Sequence, residues 1–148
     1  MACVERVGTN VELKSTAEKF FKRLTSEIHH APAASSEKVH SVEVHEGDWG
    51  THGSVKLWKF TLDGKAEQMK ERVEIDEANK TITFVAIEGH VLELYKTYKV
   101  IIKVDESGLA NITLEYEKLN EQVPTPNNYL QLVAGIVEDL EAPLVKGN

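Results

Sequence analysis

The chain has 148 residues, 41% of them hydrophobic and 28% charged, with a formal net charge of −7, proportions that fit one folded globular domain and exclude disorder. No apolar run reaches the roughly 20 residues needed to span a bilayer. The acidic balance disfavours nucleic acid, since no Lys/Arg block is interleaved with aromatics, and a single cysteine, Cys3, excludes an internal disulfide and a multi-cysteine zinc site.

A domain of this length buries about two-thirds of its unfolded surface and needs no covalent or metal staple. The opening residues Met1-Ala2-Cys3-Val4-Glu5-Arg6 lack a basic segment followed by an apolar core and a cleavage site, so a cytoplasmic location is expected. Cys3 reads as a small apolar residue near the start of a strand.

Val4 to Leu13 reads as that strand, although its alternation is imperfect around Gly8. Ser15-Thr16-Ala17-Glu18 has the spacing of a capping box, which places a helix start at Ser15. Phe20, Phe21 and Leu24 supply the apolar face of this helix, and Ile28 extends it until Pro32 interrupts. One kinked helix or two short ones satisfy the pattern.

From Lys38 the period changes to two, predicting a strand. The turn-rich Gly47 to Gly53 leads into a strand from Ser54 to Leu62, and Asp63-Gly64 is a two-residue hairpin signal. Strands are then expected at Lys65 to Ile75 and Thr81 to Glu88, across the turn Asp76 to Lys80. Gly89 precedes a long strand from about Val91 to Val104, and Glu106-Ser107-Gly108 turns into a last one from Ala110 to Leu119. After Pro124 and Pro126, Asn127 or Asn128 caps a helix carrying Tyr129, Val133, Ile136, Val137 and Leu140 on its apolar positions, with Pro143 limiting its tail. The order predicts an α+β fold in which the last helix covers one face of an antiparallel sheet. It does not decide between a dense core and a cavity.

The ordered segments Glu46-Gly47-Asp48-Trp49-Gly50, Gly53 to Trp58, Asp63-Gly64-Lys65, Ile87-Glu88-Gly89, Leu92 to Lys96 and Leu114 to Glu121 followed by Pro124 resemble the motifs of major latex protein-like proteins. These proteins are relatives of the birch pollen allergen and the class-ten pathogenesis-related proteins. The resemblance covers nearly the whole chain. It implies a helix-grip fold: a seven-stranded antiparallel sheet wrapped around a long C-terminal helix, with two short helices and an internal hydrophobic cavity. It further implies a hydrophobic plant ligand such as a specialised metabolite, hormone or lipid, usually no cofactor, and roles in defence or stress. Some relatives are cofactor-independent isomerases or cyclases of specialised metabolism. A monomer or weak dimer is expected.

With the strand register that the resemblance implies, Lys56, Trp58, Phe60 and Leu62 face inward from one strand, Met69, Glu71 and Val73 from the next, and Ile82, Phe84, Ala86 and Glu88 from a third. Tyr98, Val100 and Ile102, then Ile112, Leu114 and Tyr116, continue the surface, and Val133, Ile136 and Val137 approach it from the helix. A bulge that shifts a row by one residue reverses its face.

Glu71 and Glu88 carry two readings. Each is a cavity carboxyl whose pKa rises by desolvation, able to move protons near neutral pH, or else a rim carboxylate paired with Lys56 or Arg72. Tyr98 and Tyr116 either donate to a ligand or pack. His90 is an acid/base candidate at a cavity mouth or a solvated loop histidine. His29, His30, His40, His45 and His52 lack metal-site spacing, so no metal is expected. The glycine-rich Gly47 to Gly53 lacks the terminal Lys-Ser/Thr of a nucleotide loop and reads as a structured hairpin turn. Three functions stay open: reversible ligand binding, cofactor-independent isomerisation or cyclisation, and a defence protein acting through its surface.

Overall fold

The computed structural model describes residues 3–145; Met1 and Ala2, which entered the expectation of a cytoplasmic location, lie outside them. Seven antiparallel strands form one sheet in the order β1-β7-β6-β5-β4-β3-β2. They are β1 Glu5–Glu12, β2 Val39–Glu46, β3 Val55–Leu62, β4 Lys65–Asp76, β5 Thr81–Gly89, β6 Tyr95–Val104 and β7 Leu109–Lys118. Two short helices, α1 Ala17–Leu24 and α2 Ala31–Ala34, join β1 to β2, and the long α3 spans Asn127–Val145. Consecutive strands from β2 to β7 are neighbours, so tight turns suffice to connect them. The Asp63-Gly64 turn places both residues at positive φ, 51° and 77°, as a hairpin of this length requires.

The α1 start differs from the expected capping box. Thr16, not Ser15, is the N-cap: its hydroxyl accepts from the Lys19 backbone N–H at 3.2 Å. Ser15 is held elsewhere, because its own N–H donates to the Glu141 carboxylate at 2.6 Å, which binds this turn to α3. The helical pair resolves into two short helices linked by a 3-10 turn at Ile28–His30. Pro32 lies in the first turn of α2, where its missing N–H costs no helical hydrogen bond.

The expected strand from Val91 instead begins at Tyr95, since His90–Glu93 forms a 3-10 turn. Gly89 enters that turn at φ 139°, and a Cβ there would lie 2.7 Å from the Gln68 carbonyl oxygen. Both asparagines lie in the first turn of α3 rather than ahead of it. The Leu130 N–H reaches the Pro126 carbonyl, Asn128 Nδ2 donates to Asp63, and the Asn128 side-chain oxygen accepts from the Tyr129 N–H. Pro143 does not end the helix, which continues to Val145.

The concave face of the sheet is apolar because the period-two rows of β3 to β7 converge there. Trp58, Phe60, Met69, Phe84, Tyr98, Val100, Leu114 and Tyr116 are all buried. Helix α3 lies against β1, β7 and β3 and against α1 and α2, burying Tyr129, Leu130, Val137 and Leu140. Burial of each such large apolar side chain contributes about 1.5–3 kcal/mol.

Candidate functional site

Between the sheet and α3 lies a pocket lined by Leu24, Ile28, Trp58, Phe60, Met69, Glu71, Phe84, Tyr98, Val100, Ile102, Tyr129, Leu132, Val133, Ile136, Val137 and Leu140. The volume open to a water-sized molecule is about 80 Å³. Its walls are nearly all hydrocarbon and aromatic ring. Trp58 and Phe84 meet edge to face at 6.4 Å, and Tyr98 lies 5.3 Å from Tyr129 across the sheet–helix junction.

Glu71 is the one carboxyl group of this lining. Strand alternation puts it on the same face as Met69 and Val73, directly opposite Lys56 of β3. Its side chain is buried, and among the described residues no hydrogen bond or ion pair holds it. Desolvation dominates its protonation. The pKa is pushed up to about 8, while the nearby Lys56 ammonium acts in the opposite direction. The proton is therefore retained through neutral pH.

Lys56 is fully buried as well, yet its Nζ donates to Ser54 Oγ at 2.7 Å and lies 6.0 Å from the Trp49 ring centroid. Burial pulls its pKa down, opposed by Asp48 and Glu71. It does not line the pocket. The Tyr98 hydroxyl is held well above its usual pKa by burial and by the neighbouring Glu71. Tyr129 is shifted upward too, chiefly by burial. Neither phenol oxygen has a hydrogen-bond partner among the described residues, and the Trp58 indole N–H is likewise buried without an acceptor.

The other predicted site residues divide in two. Trp58, Phe60, Met69, Phe84, Tyr98, Val100, Val133, Ile136 and Val137 meet at the pocket with Glu71. Ile82 and Tyr116 face inward but pack into the core beside it, Tyr116 against Tyr95 at 5.5 Å.

Glu88 does not join its row. In the β4–β5 register Lys70 pairs with Glu88 but Glu71 pairs with Ala86, so Ile87 is one residue in excess and the strand reverses face. Glu88 consequently points to solvent and forms a 2.9 Å ion pair with Lys70. His90 lies outside the lining, half exposed, with Nδ1 3.5 Å from the Glu67 carboxylate in an outer depression.

Leu24, Ile28, Ile102, Tyr129 and Leu140, each already marked by periodicity as part of an apolar face, also reach the lining. Leu132 carried no such signal. The Gly47–Gly53 turn offers no open anion cradle: the Asp48 carboxylate accepts from the Gly50 N–H and the Thr51 hydroxyl, which holds its pKa below the usual range. Among the described residues no group of three His, Cys, Asp or Glu side chains could hold a metal, and no helix is long and apolar enough to cross a membrane.

Comparison with known proteins agrees with this architecture. The model of the pathogenesis-related protein Bet v 1 family matches residues 2–147. MLP-like protein 328 of Arabidopsis thaliana is 41% identical over 142 residues, covering 93% of this chain and 94% of that protein. The crystal structure of ginseng major latex-like protein 151 from Panax ginseng superposes with a TM-score of 0.91 at 33% identity, over 95% of this chain and 97% of that one. Norcoclaurine synthase from Thalictrum flavum, solved with dopamine and hydroxybenzaldehyde, shares the fold at a TM-score of 0.79 and 17% identity, covering 99% of this chain and 90% of that one. With a family model spanning nearly its whole length and major latex-like relatives on both sequence and structure, the chain belongs to the Bet v 1 family.

Proposed function

We propose that the protein reversibly binds a hydrophobic small molecule, of the kind plants make as specialised metabolites, hormones or lipids, in the pocket between the sheet and α3. The observation that carries this reading is the lining: aromatic and aliphatic walls from four strands, α1 and α3 surround a few polar groups that have no hydrogen-bond partner among the described residues. Apolar walls supply the driving force for entry, and the polar groups orient what enters. The small free volume implies that Leu132, Val133 or Ile136, all only half-buried, yield space as a larger ligand enters. Membership in the pathogenesis-related protein Bet v 1 family, whose members bind hydrophobic ligands, supports the same reading.

The test is incubation with a plant metabolite extract, followed by mass spectrometry of both the retained compounds and the solution. Retention of an unchanged compound by wild type, lost when Val133→Trp fills the pocket, is the expected result. Equal retention by the filled variant sinks the proposal and favours action through the surface.

A second reading, a cofactor-independent isomerase or cyclase, is favoured by one observation. Burial pushes the Glu71 carboxyl up to about 8 at the wall of an apolar pocket, a value suited to proton transfer close to neutral pH. Of the three acid/base candidates, Glu71 alone touches that space; Glu88 and His90 do not. A new product in solution, abolished by Glu71→Gln in a variant that still retains the substrate, would establish this reading.

A further inference from the structure

The polar groups around the pocket share one property. Glu71 is buried, unpaired among the described residues and protonated at neutral pH. Tyr98 and Tyr129 also line the pocket and make no phenol hydrogen bond among the described residues, and the Trp58 indole N–H is buried there without an acceptor. The lining contains no lysine, arginine, histidine or amide side chain. At neutral pH the walls therefore have protons to donate and no cation to offer. A buried donor without an acceptor has lost its hydration with nothing in exchange, and an incoming acceptor recovers part of that cost.

We propose that the pocket selects neutral molecules that carry an apolar body and a carbonyl acceptor, as in a ketone, ester or lactone, and discriminates against carboxylates of the same shape. The carbonyl oxygen accepts from the Glu71 carboxyl, next to the Tyr98 ring. A ligand carboxylate would lose its hydration in a hydrocarbon-walled space and gain no counter-ion. The cation of Lys56 is outside the lining and engaged by Ser54. The groups next to Glu71 are Lys56 from β3 and Tyr98 from β6; Tyr129 of α3 lines the same pocket with Glu67, Tyr95 and Asp63 as its charge neighbours, and the buried Arg23 of α1 is paired with Glu27. Tyr98 and Tyr129 stay neutral across the pH range of the test, so loss of the Glu71 proton is the event that changes the donor set of the lining. This inference rests on the pocket being a ligand site and adds the ligand's chemical class.

Three one-ring probes separate the possibilities: acetophenone, its hydrocarbon isostere isopropylbenzene, and benzoate, each titrated into the 15N-labelled protein by NMR. At pH 6.5 acetophenone is expected to bind about tenfold more tightly than isopropylbenzene, with benzoate weakest. The tenfold ratio corresponds to one hydrogen bond at the upper end of its usual range. At pH 9.5, where Glu71 is an anion, the preference for the ketone falls below about twofold. Glu71→Gln keeps an N–H donor and preserves the preference at both pH values, whereas Glu71→Leu abolishes it at both.

Equal binding of ketone and hydrocarbon by wild type overturns the selectivity and leaves the pocket reading intact. Benzoate binding as tightly as acetophenone does the same. If no probe perturbs pocket resonances, or if Val133→Trp binds them all as wild type does, the pocket reading fails and this inference fails with it.

Discussion

Two buried carboxyl groups, equal in exposure at 7% each, serve the molecule in opposite ways. Glu141 sits where α3 meets the turn after β1, and its oxygens accept from the Lys14 N–H at 3.0 and 3.1 Å and from the Ser15 N–H at 2.6 Å. Glu71 sits in the pocket and accepts from nothing among the described residues. A carboxylate that replaces its lost water with backbone N–H groups is part of the scaffold. One left without replacements keeps its proton and remains available to a guest. Burial alone distinguishes neither case; the local supply of donors does.

The largest expected effect tests the Glu71 half of this contrast. A folded-state pKa near 8 against 4.5 in the unfolded chain means that the folded state holds the extra proton in this window. The contribution to stability is then fully present below about pH 4.5 and is lost as pH rises through 8. Urea unfolding of wild type and Glu71→Gln across pH 4 to 9 should show the variant gaining relative stability with pH, by up to about 5 kcal/mol. Lys56 loses a favourable neighbour in the same variant, which makes that figure an upper bound. A difference independent of pH would mean that Glu71 is paired and charged in solution.

Next in size is Glu141→Ala, which strands two N–H donors at the α3 junction and should cost about 2–4 kcal/mol in chemical unfolding. A loss under about 0.5 kcal/mol would show that water replaces the carboxylate there, erasing the contrast.

The smallest effect belongs to Glu88→Gln. Its ion pair with Lys70 lies at the surface, with the Glu88 side chain 67% exposed, and such pairs contribute about 0–1 kcal/mol. Retention of ligand should be unchanged. Altered ligand retention in this variant would mean that the β5 bulge is rearranged on binding.

The fate of the Glu71 and Glu88 pair explains how far the site was legible. Alternation along each strand put both residues on the inner face, and for Glu71 the rule held because β3 and β4 pair without interruption from Val55–Arg72 to Leu62–Lys65. For Glu88 one extra residue at Ile87 reversed the face, and a single bulge leaves no trace in hydropathy. Lys56 was placed on the correct face, yet Ser54 draws its ammonium away from the pocket; that is a choice of side-chain direction, which period two does not encode.

The sequence by itself determined the seven strands, the helical pair and the long last helix, because turn residues and hydrophobic period act locally and need no knowledge of distant partners. It also carried the motifs that mark the family. Tertiary structure alone decided that Thr16 rather than Ser15 caps α1, with the Ser15 backbone N–H bound to Glu141, and which glutamate meets the pocket. It also left the Tyr98 and Tyr129 phenols and the buried Trp58 indole N–H without hydrogen-bond partners among the described residues. The first outcome depends on residues more than a hundred positions apart, Ser15 and Glu141; the others depend on strand register and on the exclusion of water. A buried carboxyl acquires its properties only after the walls around it have closed.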